Sequence, residues 1–279
     1  MAFAGVLDLF RVRPSGPVGE GGRMALTDHF RELRARLMKS MLALVVATIA
    51  SFFIYDPLLL EIVTGPYNEA RDTLGSGTTT KIIISGVGGG LMIQLKLCAL
   101  SGVIISSPVW LYQIWAFVLP GLHRTERRWT MLFVAIAGPL FGAGVALGYY
   151  VLPKALHVLI SFTPADMENL NDFNDFFSFI TRMLLVFGIA LEIPFFVVLL
   201  NLAGVVSGQT LGRHRPWIIL GTFIFAAVAT PSTDPISMLF LAMPMLVLFL
   251  LSEVIARLVD RRRAGADTAQ WADDEVSPL

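Results

Sequence analysis

Long apolar stretches dominate this chain and restrict it to very few folds. They run at about Lys39–Leu60, Met92–Leu119, Trp129–Leu152, Phe176–Ala203, Trp217–Thr230 and Ile236–Ile255. A helix needs roughly 20 mostly apolar residues to cross about 30 Å of hydrocarbon. In lipid, only helices and closed barrels satisfy their backbone hydrogen bonds internally. The first four stretches meet that length and the last two are shorter. Thr230-Pro231-Ser232-Thr233-Asp234-Pro235 divides the last two. Two prolines so close disfavour a continuous helix, so a tight hairpin is expected there. The predicted fold class is all-α: a polytopic membrane protein with six transmembrane helices. Composition agrees, with 55% hydrophobic and only 15% charged residues, where soluble domains carry about a quarter charged.

The position of the charges says more than their balance. Lysine and arginine number 21, as do aspartate and glutamate, which argues against an overall nucleic-acid footprint. Sixteen of the basic residues fall before the first span, in the second-to-third and fourth-to-fifth loops, and after the last span. The opposite loops hold three, Arg71, Lys81 and Lys154. Positive charge stays on the cytoplasmic side during insertion, so both termini are expected inside. Residues 1–38 are polar, basic and rich in Gly and Pro, with no cleavable signal pattern, so the first span is expected to remain as an anchor. The expected organisation is a disordered cytoplasmic tail at 1–23, a six-helix transmembrane domain at 24–257 and a basic, polar cytoplasmic tail at 258–279.

On the other side, residues 61–91 hold a short stretch from Pro66 to Arg71, expected to be interfacial, and Gly-Val-Gly-Gly-Gly at 86–90. Residues 153–175 carry Asp166, Glu168, Asp172 and Asp175, expected to be solvated loop charges, with Asn174 or Asp175 capping the fourth span. Cys98 stands alone in an apolar run and is expected to be a small buried side chain.

Charged residues inside spans are costly and usually face protein or water. Glu192 lies mid-span, two residues before Pro194. It needs a water-filled cavity or a partner, or it is a protonated carboxyl bonded to a neighbouring helix. With the short last two spans it predicts a concave, open bundle. Lys96 and Arg182 lie near outer span ends, where long basic side chains snorkel to the interface. Glu253 with Arg257 at i+4 is expected to be an ordinary helix pair.

Two cytoplasmic clusters mix acid with base. Phe30-Arg31-Glu32-Leu33-Arg34-Ala35-Arg36-Leu37 leads into the first span, and His123-Arg124-Thr125-Glu126-Arg127-Arg128 forms a tight loop. Both serve as topological anchors. Their glutamates also have the chemistry to take guanidinium groups in bidentate geometry, and so to capture an arginine-bearing peptide.

These motifs, in their order, resemble those of TatC, the C component of the twin-arginine protein translocase. The resemblance covers roughly residues 24–257. It is carried by His29-Phe30-Arg31-Glu32-Leu33-Arg34-Ala35-Arg36-Leu37 and by Ser107-Pro108 with Tyr112 to Leu122 and Glu126-Arg127-Arg128. Phe187-Gly188 with Glu192-Ile193-Pro194, then Arg213-His214-Arg215-Pro216, Thr230-Pro231 and Asp234 complete it. The resemblance implies a receptor core that binds the paired-arginine signal peptides of folded precursors. It further implies single-span TatA- and TatB-type partners, a driving proton-motive force, self-association, a prokaryotic inner membrane and no cofactor. It makes Glu32 and Glu126 contacts for the signal arginines, with Phe117, Arg127 and Arg128 in the same patch. It places Glu192 in a groove for signal or partner helices, with Asp234 and Met238 as further contacts, and gives Pro66 a structural role in the first external loop. Some members carry glutamine where Met238 stands, so this chain departs from them there.

Two other classes compete. A proton-coupled transporter of small solutes would use Glu192, Arg182 and Lys96. An intramembrane protease would need a buried base, yet His29, His123, His157 and His214 all fall at or beyond span ends. No His-Glu-x-x-His zinc pattern or phosphate-binding Gly-x-x-x-x-Gly-Lys occurs in the sequence, so neither zinc hydrolysis nor nucleotide hydrolysis is expected.

Overall fold

The computed structural model describes residues 26–73, 80–86, 88–118, 127–163, 169–202, 204–230 and 235–269. At 26–29, 56–57, 118, 127–134, 169 and 263–269 the description covers the backbone only. The chain is an all-α polytopic membrane protein. Helix α1, Leu26–Phe52, carries the amphipathic cluster directly into the first span. A turn and a π-helical segment, Tyr55–Leu59, lead to α2, Leu60–Thr73, which is longer than the stretch expected from sequence. Pro66 lies inside α2 and is buried.

The second span is not one helix. Helix α3, Gly89–Ile105, and helix α4, Ser107–Val118, meet at Ser106 and diverge by 55°. Pro108 supplies the cause, because it has no N–H to continue the ladder and its ring crowds the preceding turn. The Trp110 indole donates to the Val103 carbonyl at 3.0 Å, so an acceptor at the break stays paired.

Helix α5, Arg127–Ser161, and helix α6, Phe173–Leu202, form the centre. A Cβ on Gly144 would lie 2.5 Å from the Phe187 carbonyl oxygen, and one on Gly188 would lie 2.6 Å from the Phe141 ring. Small residues let membrane helices approach closely where lipid offers no hydrophobic drive. Phe141, Phe187, Ile180 and Met183 fill this seam. Helices α7, Gly208–Arg213, and α8, Arg215–Ala229, precede α9, Pro235–Ala269. Among the described residues four helices are long and apolar enough to span a membrane, and the bent α3–α4 pair makes a fifth. The sixth, α8, has 15 residues and is about 22 Å long at 1.5 Å per residue. The outward apolar side chains, among them Phe53 and Val228 at 85% and 82% exposure, are suited to lipid.

The loops opposite the start of α1 hold an element that the sequence pattern did not reveal. Strands β1, Thr80–Ile83, and β2, Asn169–Asp172, pair in parallel with Thr80 opposite Asn169 and Ile83 opposite Asp172. Tyr67 on α2 shares a 3.0 Å hydrogen bond with the Thr80 hydroxyl, which ties α2 to the sheet.

Candidate functional site

Of the five proposed signal contacts, the structure defines the surroundings of Glu32 most fully. Helix α1 packs against α3 and α4. On this side of α1, Glu32 and Ala35 are buried among exposed neighbours. Glu32 is 8% exposed. Arg36 lies one turn on and donates its Nε to Glu32 Oε1 at 2.9 Å, with Nη2 directed to the same oxygen. Its Nη1 reaches Gln113 Oε1 on α4 at 3.5 Å. The carboxylate thus has a guanidinium partner away from bulk water, and that partner bridges two helices. Phe117, half-buried, lies one turn beyond Gln113 on the same helix. Arg127 and Arg128 begin α5, and their side chains lie outside the described residues, as does Glu126.

The second feature is the intramembrane carboxyl. Glu192 is 3% exposed, and neither oxygen has a hydrogen bond of normal geometry. It approaches Trp115 on α4 and the backbone of Phe141 on α5. The Trp115 ring stacks on Phe196, with centroids 4.7 Å apart. Glu192 therefore sits buried at a junction of α4, α5 and α6. The same helix, α4, carries Gln113 toward Glu32 and Trp115 toward Glu192. Met238 on α9 is half-buried and packs on the main core, and Asp234 lies outside the described residues.

Two clusters went unnoticed in sequence. Glu253, read as an ordinary helix pair, is 2% exposed and takes Arg215 from α8 at 2.7 and 3.0 Å as well as Arg257 at 2.7 Å. Close by, Asp260 accepts from Asn201 Nδ2 at 2.8 Å and from the Gly208 N–H at 2.7 Å. A glutamate in an apolar run was the available signal for the first. The Asp260 contacts span too much sequence for any local pattern to reveal. On the sheet side, Lys96 donates to Asn174 Oδ1 at 2.7 Å, so it has a defined partner there. Arg182 is exposed. The cap of α6 is Asp172, whose Oδ1 accepts from the Asn174 backbone N–H at 2.7 Å, and not Asn174 or Asp175. The Ser85 hydroxyl and both Asn174 donors hold the Asp172 carboxyl below the usual range, with Lys96 adding to the effect. Among the described residues no three His, Cys, Asp or Glu side chains gather as a metal site would require.

Comparison with known proteins agrees with this architecture. The family model for the Sec-independent protein translocase protein (TatC) matches residues 28–244. A Sec-independent protein translocase protein TatC from Frankia casuarinae is 40% identical over 93% of this chain and 74% of its own length. One from Xylanimonas cellulosilytica is 38% identical over 90% of this chain and 92% of its own. A crystal structure described as the twin arginine translocase receptor TatC superposes with a TM-score of 0.65 at 29% identity. It covers 84% of this chain and all of its own. The chain belongs to the TatC family of Sec-independent protein translocase proteins, as a membrane component of protein transport.

Proposed function

We propose that this chain is the receptor core of a twin-arginine translocase. It binds the paired-arginine signals of folded precursors and recruits TatA- and TatB-type single-span partners for export driven by the proton-motive force. One observation carries the reading: a buried carboxylate, Glu32, is held against α4 in a setting that already accepts a guanidinium. Glu126, together with Phe117, Arg127 and Arg128, forms the rest of the proposed patch. A single exposed ion pair contributes only about 0–1 kcal/mol, too little to select a signal from a cytoplasm full of Lys and Arg. Two carboxylates taking one guanidinium each, with the apolar part of the signal burying surface nearby, supply the selectivity. Glu192, Asp234 and Met238 are the proposed groove contacts, for the apolar part of the signal or for partner helices, and Pro66 shapes the first external loop. The chain is placed in the prokaryotic inner membrane with both ends cytoplasmic, and the uneven distribution of Lys and Arg supports this. Catalysis has no part in the proposal.

Site-specific photocrosslinking tests it. Probes at Phe117 and Glu126, in membranes given a twin-arginine precursor, are expected to capture the signal and to lose it when Lys-Lys replaces Arg-Arg. Equal capture of both precursors removes the reading. Cysteines placed at Thr78 and Met167 should label from outside, and ones at Gly16 and Thr268 should not. Reversed labelling would put Glu126 on the wrong side.

A further inference from the structure

The contact that makes Glu32 a credible reader of guanidinium groups also fills it. We propose that Arg36 is a built-in competitor for the signal arginines. Its guanidinium occupies the Glu32 carboxylate in the empty receptor, and an incoming guanidinium must displace it. The inference rests on the reading of Glu32 as a signal contact.

Two donors of Arg36, Nε and Nη2, converge on Glu32 Oε1. The two side chains are 11% and 10% exposed, so little water screens the pair. An exposed i,i+4 pair exchanges freely with water, whereas this one has to be replaced by another cation if the carboxylate is to stay charged at this depth. Exchange does not strand the displaced arginine. Its Nη1 already reaches the Gln113 amide oxygen on α4, which can hold the guanidinium once Glu32 is taken. An Arg-for-Arg exchange leaves Glu32 paired with one guanidinium before and after, while Arg36 passes to a neutral amide. Because Gln113 belongs to α4, release of Arg36 from Glu32 alters the tie between α1 and the helix that carries Phe117.

A competitor of this kind leaves a quantitative signature. A ligand that needs Glu32 free binds with its intrinsic affinity multiplied by the fraction of receptors in which Glu32 is free. That fraction is a property of the receptor, so it scales every such ligand alike. Arg36 would then lower affinity without changing the ratio between an Arg-Arg signal and its Lys-Lys counterpart.

The test uses the full chain in lipid nanodiscs and two synthetic signal peptides, Arg-Arg and Lys-Lys, with affinity read by fluorescence anisotropy. Arg36→Gln is expected to tighten both by the same factor, about fivefold for loss of one competing charge-assisted pair. In a Glu32→Gln background the same substitution should give no gain, since there is no carboxylate to release. Arg36→Lys keeps Glu32 paired and guards against a variant that fails to fold. It should give a smaller gain, about twofold, because a lysine holds the carboxylate at one point only. A gain that persists in the Glu32→Gln background would show general charge repulsion and overturn the proposal. So would a gain for one peptide alone, or affinities unchanged or weakened in both Arg36 variants. If Glu32→Gln by itself leaves Arg-Arg affinity unchanged, the reading of Glu32 as a contact fails, and the competitor with it. If Glu32→Gln weakens binding and neither Arg36 variant strengthens it, the competitor fails alone.

Discussion

Two buried glutamates, Glu32 on α1 and Glu253 on α9, differ in how their charge is met. Glu253 receives two guanidinium groups, one from its own helix and one from α8. Its two oxygens between them receive three donors at 2.7–3.0 Å. It binds the start of α8 to the last span, and its charge is already met by two cations. Glu32 receives one guanidinium, from one turn along its own helix, directed at a single oxygen. The first arrangement has the form of a structural fastener, and the second is the one proposed above to be exchangeable. The distinction lies chiefly in the number and origin of donors, since both carboxylates are buried, Glu32 at 8% and Glu253 at 2% exposure.

The largest effect should come from attacking the fastener. Glu253→Gln leaves Arg215 and Arg257 without a carboxylate and is expected to cost about 2–4 kcal/mol of stability. That is below the value for a wholly buried pair because both arginines are half in water. Thermal unfolding in detergent would measure it, and a shift no larger than that of an exposed helix pair would erase the contrast. Glu32→Gln is the complementary case. Arg36 can still bond the new amide and Gln113, so the stability cost should stay below that of Glu253→Gln, at about 1–2 kcal/mol, while affinity for an Arg-Arg peptide drops about tenfold. A variant whose stability and binding fall together would make Glu32 a fastener too.

A third carboxylate extends the comparison to neutral donors. Asp172 is held by Ser85 and Asn174, and its carboxyl is depressed. A depressed carboxyl contributes stability above its unfolded value and loses it as the pH falls through the folded one. The loss should therefore begin only below the ordinary value of 3.8. Asp172→Asn should flatten that acid limb and lower stability at neutral pH toward the acid value of the parent protein. An unaltered pH profile would mean that the cap contributes through shape alone.

The spans were legible because a run of apolar residues carries its own evidence of length. The break at Ser106 was partly legible: Pro108 stood in plain view, but the apolar run continued past it and masked the bend. Glu253 was half legible, since Arg257 at i+4 announces itself and Arg215 does not. The same holds at the proposed site. Glu32 and Arg36 share a helix face by spacing alone, whereas their approach to Gln113 depends on how α1 packs on α4. The burial of Glu192 beside Trp115 is likewise a packing fact. Strand pairing between Thr80 and Asn169 was invisible, because short polar segments with no alternating pattern give no register.

That pairing orders events during synthesis. Thr80 cannot meet Asn169 until α3, α4 and α5 have all been made. At about 5–20 residues per second, β1 waits roughly 5–18 seconds for its partner. Through that interval its backbone donors and acceptors are open to solvent and to any other extended segment within reach, and α2 lacks the β-sheet to which Tyr67 ties it. The first extramembrane loop therefore matures only after the chain has threaded back and forth several times, so a ribosome stalled within α5 would leave an unpaired β-edge beside spans already in lipid.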